Sequence, residues 1–268
     1  MRNLTRSCFG VALLLSVATP SWAGIHYKAV TTVPDARNGN NQIVVEGWVA
    51  GDKAKVLFRD SGNPMMKKGS YLLTKDGGRT LYLVDPEEKT YAEWDLQAML
   101  GTAGAVLQGM GPLLKIEFSD PKVEKVSEGD GGSLLGLPTR HVKSRTSYSM
   151  KIKVLGMGQA SNVVSEQEIW ATDKLKDVGL GVWLRADPPR TGNENFDKLV
   201  AAQASQVGGF PLKTVTVSTT TNNKGKQQVS RTSTEVTELD AAASVPDATF
   251  EIPGGYEETQ LVPMSPGQ

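Results

Sequence analysis

The chain has 268 residues, with 29 Lys and Arg against 29 Asp and Glu, two His and a single Cys. One thiol excludes an internal disulfide framework and any site built from several thiolates. A formal charge of zero excludes nucleic-acid binding that relies on a strong net positive field.

The first segment reads as a cleaved export signal. Arg2 and Arg6 form a short basic region, residues 9–17 an apolar run, and Ser21-Trp22-Ala23 ends in the small residue a signal peptidase prefers. The run is too short to cross a bilayer, which takes roughly 20 apolar residues. Cleavage after Ala23 places residues 1–23 in the signal and 24–268 in one mature domain. It also removes Cys8. No later stretch is apolar enough for a transmembrane helix, so the expected location is periplasmic or secreted.

From there the dominant period is two. Ala54, Val56 and Phe58 alternate with Lys53, Lys55 and Arg59; Val142, Ser144, Thr146 and Tyr148 alternate with His141, Lys143 and Arg145. Such alternation marks strands with one face buried and one wet. Turn residues punctuate the runs at Asn38-Gly39, Asp60-Ser61-Gly62, Asp76-Gly77-Gly78, Asp85-Pro86-Glu87 and Asn222-Asn223-Lys224-Gly225. Strands are predicted at 25–33, 42–50, 53–60, 70–75, 79–84 and 89–94. A second series follows at 113–118, 122–127, 139–148, 150–156, 163–172, 180–186, 212–220 and 227–239. The Ser/Thr-rich stretch 214–237 reads as a long hairpin with a weakly buried face.

Two stretches keep helical spacing. The first, 95–111, carries Leu96, Met99, Leu100, Ala103, Val106, Leu107 and Met110, with Asp95 as a cap and Pro112 as a stop. Gly101, Gly104 and Gly109 each cost about 1 kcal/mol against Ala in a helix interior. They indicate either close backbone packing or a segment built to move. The second helix carries Phe196, Leu199 and Val200, entered at Asn193 or Asn195 and ended by Gly208-Gly209. No internal repeat is visible. The fold class is α+β: a strongly curved antiparallel sheet, an incomplete barrel, with two or three helices covering its concave face.

Catalytic motifs are absent from the linear sequence. Ser133 fails the Gly-x-Ser-x-Gly pattern because Leu135 follows it. Ser119-Asp120-Pro121-Lys122 places a proline where a catalytic Ser-x-x-Lys needs a helix. His26 and His141 read as solvated strand residues, since no acid or nucleophile lies at a suggestive spacing. Neither a metal nor a cofactor is expected, and the chain is read as non-enzymatic.

Several stretches resemble the bacterial lipoprotein-carrier (LolA/LolB-like) superfamily, in particular its exported relatives of unknown function. They are Leu81 to Pro86 followed by Lys89-Thr90-Tyr91, Glu168-Ile169-Trp170-Ala171-Thr172-Asp173, Gly209-Phe210-Pro211-Leu212-Lys213, and Phe250 to Tyr256. The resemblance implies a half-barrel enclosing a hydrophobic cavity that takes a lipid or acyl chain; no functional residue is carried over from it. The candidate contacts are Met99, Val106, Leu107 and Met110 on the helix, with Phe58, Trp94 and Trp170 on the sheet. The alternative is an envelope interaction or assembly protein with a packed core, an envelope protein as partner and no ligand.

Overall fold

The alternation of side chains along each run sets the architecture. In the computed structural model, residues 22–33, 42–63, 66–95, 114–155, 157–175, 194–205 and 208–259 are described. They form one thirteen-stranded sheet in the order β13-β6-β5-β4-β3-β2-β1-β12-β11-β10-β9-β7, with β8 also paired to β9. The first half is the meander β1 (Trp22–Thr32), β2 (Gln42–Ala50), β3 (Lys53–Asp60), β4 (Tyr71–Thr74), β5 (Thr80–Asp85) and β6 (Thr90–Asp95). The second half is β7 (Leu114–Phe118), β8 (Lys122–Leu134), β9 (Leu137–Val154), β10 (Met157–Thr172), β11 (Phe210–Asn222) and β12 (Gln227–Val245). Helix α1 (Glu194–Ser205) precedes β11, and a two-residue β13 (Glu257–Glu258) adds to β6 in parallel.

β1 joins the halves. It pairs with β2 on one side and with β12 on the other, so that Val30 lies between Val44 and Glu235. Trp22 and Ala23 belong to this strand, opposite Val245 and Ser244. Gly24 still pairs with β12 and the pairing with β2 begins at Ile25, so the expected cleavage after Ala23 would shorten β1 without unpairing it.

One face carries Ile25, Tyr27, Ala29, Val49, Ala54, Leu175, Phe210, Leu212 and Val236 in a single cluster, with Leu134 and Leu137 of the β8–β9 tip packed on it. Helix α1 also packs on this side of the sheet, through Phe196 on Phe118, and this is the face called concave below. The sheet curls around it without closing, since β6 with β13 and β7 with β8 remain as separate edges. The opposite, convex face has its own smaller cluster, in which Phe250, Val245 and Ala243 cover Tyr71, Leu73 and Val84.

The expected strands at 42–50 and 53–60 match β2 and β3 residue for residue. Two expectations are corrected. The pair 139–148 and 150–156 is one strand, β9, because Val142, Ser144, Thr146, Tyr148 and Met150 keep the same parity through Ser149. β8 runs to Leu134 rather than 127, as an exposed edge strand with Lys122, Glu124, Lys125, Glu128 and Asp130 along it. Such charge protects an open edge from pairing with another chain. Among the described residues there is one α-helix; Asp95, the expected cap of the helix over 95–111, is the last residue of β6. The rest of the stretch 95–111 and the expected strand 180–186 lie outside the described residues.

The 214–237 stretch is the hairpin expected of it. Asn222 holds the turn, its Oδ1 accepting from the amides of Lys224 (3.0 Å) and Lys226 (2.9 Å), with Gly225 at φ 76°.

Gly47 is the tightest point of the closed end. A Cβ there would run into the ring of Tyr27, which lies across the strand and meets Phe210 edge-on at 5.8 Å. Gly47→Ala is expected to lower stability by about 1–3 kcal/mol in urea unfolding. Adding Tyr27→Leu is expected to reduce that increment, a coupling that a double-mutant cycle reads directly.

Candidate functional site

The two faces differ in chemistry. Strand alternation places Phe58 on the concave face, opposite Val45 and 5% exposed. Trp170 is corrected to the convex face: it alternates with Ile169 (2% exposed) and Ala171 (3%), which take the inward positions. Phe58 and Trp170 are therefore not brought together. The backbone of Trp94 ends β6, opposite Leu81. Met99, Val106, Leu107 and Met110 lie outside the described residues.

Beyond the closed end, the concave face continues onto the longer strands β9 to β12. Val163 (9% exposed) stands opposite Tyr148, and Phe118 of β7 stands opposite Met150. Helix α1 lies over this region: the ring of Phe196 is 5.1 Å from that of Phe118, and Leu199 is 5% exposed. Asn195, read as a possible cap, lies in the first turn instead and donates from Nδ2 to the carbonyl of Phe118 (2.7 Å). Ile116, Phe118, Tyr148, Met150 and Ile152 are all half-buried.

On the convex face, two equivalent clusters lie one in each half of the sheet. In β1–β2–β3, His26, Trp48 and Lys55 stand side by side in register; in β9–β10–β11, His141, Trp170 and Lys213 do the same. Each imidazole stacks on its Trp, at 5.2 Å and 18° in the first cluster and at 4.3 Å and 16° in the second. Each donates from Nε2 to the carboxylate two residues before that Trp, Glu46 at 2.7 Å and Glu168 at 3.1 Å. Each Trp also lies under a lysine, with Nζ of Lys55 at 5.9 Å and of Lys213 at 5.7 Å from the ring. Behind the second stack, Gly131 leaves room that a Cβ would close, 3.0 Å from Trp170 and 2.7 Å from Thr139 Oγ1.

The linear signal for these clusters is the pair His-x-Lys and Glu-x-Trp, present as His26-Tyr27-Lys28 with Glu46-Gly47-Trp48 and again as His141-Val142-Lys143 with Glu168-Ile169-Trp170. Only the strand register turns those fragments into a repeat. Among the described residues no hydroxyl hydrogen-bonds to either imidazole, and no group of three or more His, Cys, Asp or Glu could hold a metal ion.

The two clusters differ in burial. Burial alone would raise the Glu46 carboxyl, yet hydrogen bonds from His26 and from Nε of Arg59 (2.6 Å) outweigh it and hold the group below its ordinary value. Lys55 is shifted down by burial, its Nζ 4.1 Å from the centre of the Tyr71 ring. Burial, with Tyr256 nearby, pushes the Tyr71 phenol up to about 12.

No protein-family model matches the sequence, and no curated protein matches it. The crystal structure of the LolA superfamily protein NE2245 from Nitrosomonas europaea matches over 87% of this chain and 91% of its own, at 10% identity and a TM-score of 0.30. No helix among the described residues is long and apolar enough to cross a membrane.

A carboxylate with a lowered folded value contributes stability that is complete above its unfolded value and lost as pH falls through the folded one. Glu46→Gln is thus expected to cost about 2 kcal/mol at pH 7. That difference should shrink as the pH is lowered through the carboxylate range, as urea unfolding between pH 7 and pH 3 will show.

Proposed function

We propose that the protein is a non-enzymatic binder of a hydrophobic ligand, a lipid or acyl chain held on the concave face. The observation that supports this reading is the open curl of the sheet. The two edges of the described sheet stay unpaired with each other, and the concave side of β7 and β9 presents the half-buried Ile116, Phe118, Tyr148, Met150 and Ile152. A curved, mostly apolar surface with few polar groups is the usual form of an apolar ligand site.

Phe58, Trp94, Met99, Val106, Leu107 and Met110 stay in the proposal as contacts from the sequence pattern, while Trp170, which faces away, leaves it. The proposal includes export, which rests on Arg2, Arg6, the apolar residues 9–17 and Ala23. In that compartment a chain without a remaining thiol depends on its core alone.

Mass spectrometry of gently purified protein, before and after solvent extraction, is expected to show a lipid that extraction removes. Val163→Asp, which puts a charge between Tyr148 and β11, is expected to weaken binding of a fluorescent fatty-acid analogue about tenfold or more. A circular dichroism spectrum retained by the variant shows that the sheet survives. No recovered lipid and no response to the analogue would leave the packed-sheet reading, an envelope interaction protein without a ligand.

A further inference from the structure

Exposed apolar side chains gather at one end of the sheet. Strand β9 passes into β10 through a tight hairpin, in which Val154 pairs with Met157 and Leu155 lies in the turn. Leu155 is 68% exposed and Met157 77%. β11 turns back at Asn222, opposite Ser161, whereas β10 continues to Met157, four residues or about 13 Å further. The hairpin therefore stands out beyond β11 and β12 with two large apolar side chains at its tip.

The backbone makes leucine an unfavourable residue at this turn. Its φ is 50°, in the left-handed region where a bulky side chain is an outlier and where hairpin turns favour Asn or Gly. Leu155 gains little burial within the chain in return. Leu135, at the other end of β9, has a φ of 52° but is less exposed (45%) and sits between Leu134 and Leu137, which pack on the core. A leucine both strained and exposed is explained by a contact outside the chain.

The charges around the tip indicate the kind of contact. Beyond the row Phe118–Met150–Ser161–Asn222, the strands and the β11–β12 turn carry Lys115, Lys151, Lys153, Lys224 and Lys226 against one acid, Glu117. The whole chain, by contrast, balances 29 bases with 29 acids. Lys153 pairs with Glu117 at 3.6 Å. Lys151, Lys224 and Lys226 are exposed and have no ion pair among the described residues. Two acids close to Phe118, Asp120 and Glu194, are held by Lys198 at 3.3 and 2.9 Å. Apolar side chains flanked by unpaired lysines match the surface of an anionic bilayer, whose hydrocarbon takes the first and whose phosphates take the second. A folded protein partner needs a broad fitted patch, and two protruding side chains offer too little surface for one.

We propose that the tip of the β9–β10 hairpin docks the protein on an anionic lipid bilayer, with Leu155 and Met157 entering the interface and Lys151, Lys224 and Lys226 meeting the phosphates. Met157, opposite Val154, keeps the parity of Met150 and Ile152, so docking brings that end of the concave face to the bilayer. The docking itself needs only the tip and stands without the ligand reading above.

The test is flotation of the purified protein with vesicles of phosphatidylcholine, with or without phosphatidylglycerol. Binding to the anionic vesicles is expected to be about tenfold tighter or more. Leu155→Asn with Met157→Ser is expected to weaken it about tenfold and to melt no lower than the parent, because asparagine suits a positive φ. Lys151→Gln with Lys224→Gln and Lys226→Gln is expected to remove the preference for anionic vesicles; it alters only exposed side chains and keeps the test should the turn be disturbed. Val163→Asp, aimed at the concave face, is expected to leave vesicle binding unchanged, so failure of the ligand reading and failure of docking are told apart. No binding to anionic vesicles would overturn the inference and leave the tip to a protein partner. Binding that survives the tip substitutions, that ignores the lysines, or that is lost with Val163→Asp in a folded sheet would overturn it as well.

Discussion

The structure depends on the pairing of β1 with β12. These strands come from opposite ends of the chain, as the Thr31–Thr234 hydroxyl bond at 3.0 Å shows, and their ladder unites a local meander with a set of long hairpins. Two irregularities in register, between Gly24 and His26 and between Lys28 and Ala29, interrupt that ladder. Bulges of this kind bend a strand and increase its twist, which suits a sheet that must curl. With the ladder in place, Ile25, Tyr27 and Ala29 are carried into contact with Phe210, Leu212 and Val236. Without it, the two halves would each be an open sheet with one uncovered apolar face.

That single seam also separates the chemistry of the two faces. Along β1 the odd positions Ile25 and Tyr27 build the concave core, while His26 and Lys28 reach the convex side. There the charges pair across strands, Lys28 with Glu238 at 2.7 Å and Lys143 with Glu166 at 3.3 Å. Exposed pairs of this sort contribute about 0–1 kcal/mol each. Their work is to keep a broad surface soluble and to fix register, since a slip of one residue would bring like faces into conflict. The His–Trp–Lys rows sit on this side as stacked, hydrogen-bonded struts, one in each half of the sheet.

Much of the fold was legible because period two survives wherever one face is buried. Lys53 to Asp60 could be read directly, and so could Gln42 to Ala50. β8 was cut short because an edge strand rich in Gly, Asp and Glu needs no apolar alternation to pair. β13 left no signal, for two residues held in parallel against Thr90 and Tyr91 have no period at all. Trp170 was misplaced by the run Ile169-Trp170-Ala171, in which both faces are apolar and size alone suggests an inward Trp. The sheet resolves it the other way, since His141, Lys213 and Gly131 frame the indole outside. The repeat of His-x-Lys and Glu-x-Trp was present in the linear sequence, but its meaning lies in the register.

The account turns on whether the concave face of β9 to β12 is occupied by something other than the protein. A crystal structure of the protein purified without detergent or solvent tests this directly. The account expects elongated density running along the concave face. A face filled from edge to edge by the chain's own side chains would contradict it.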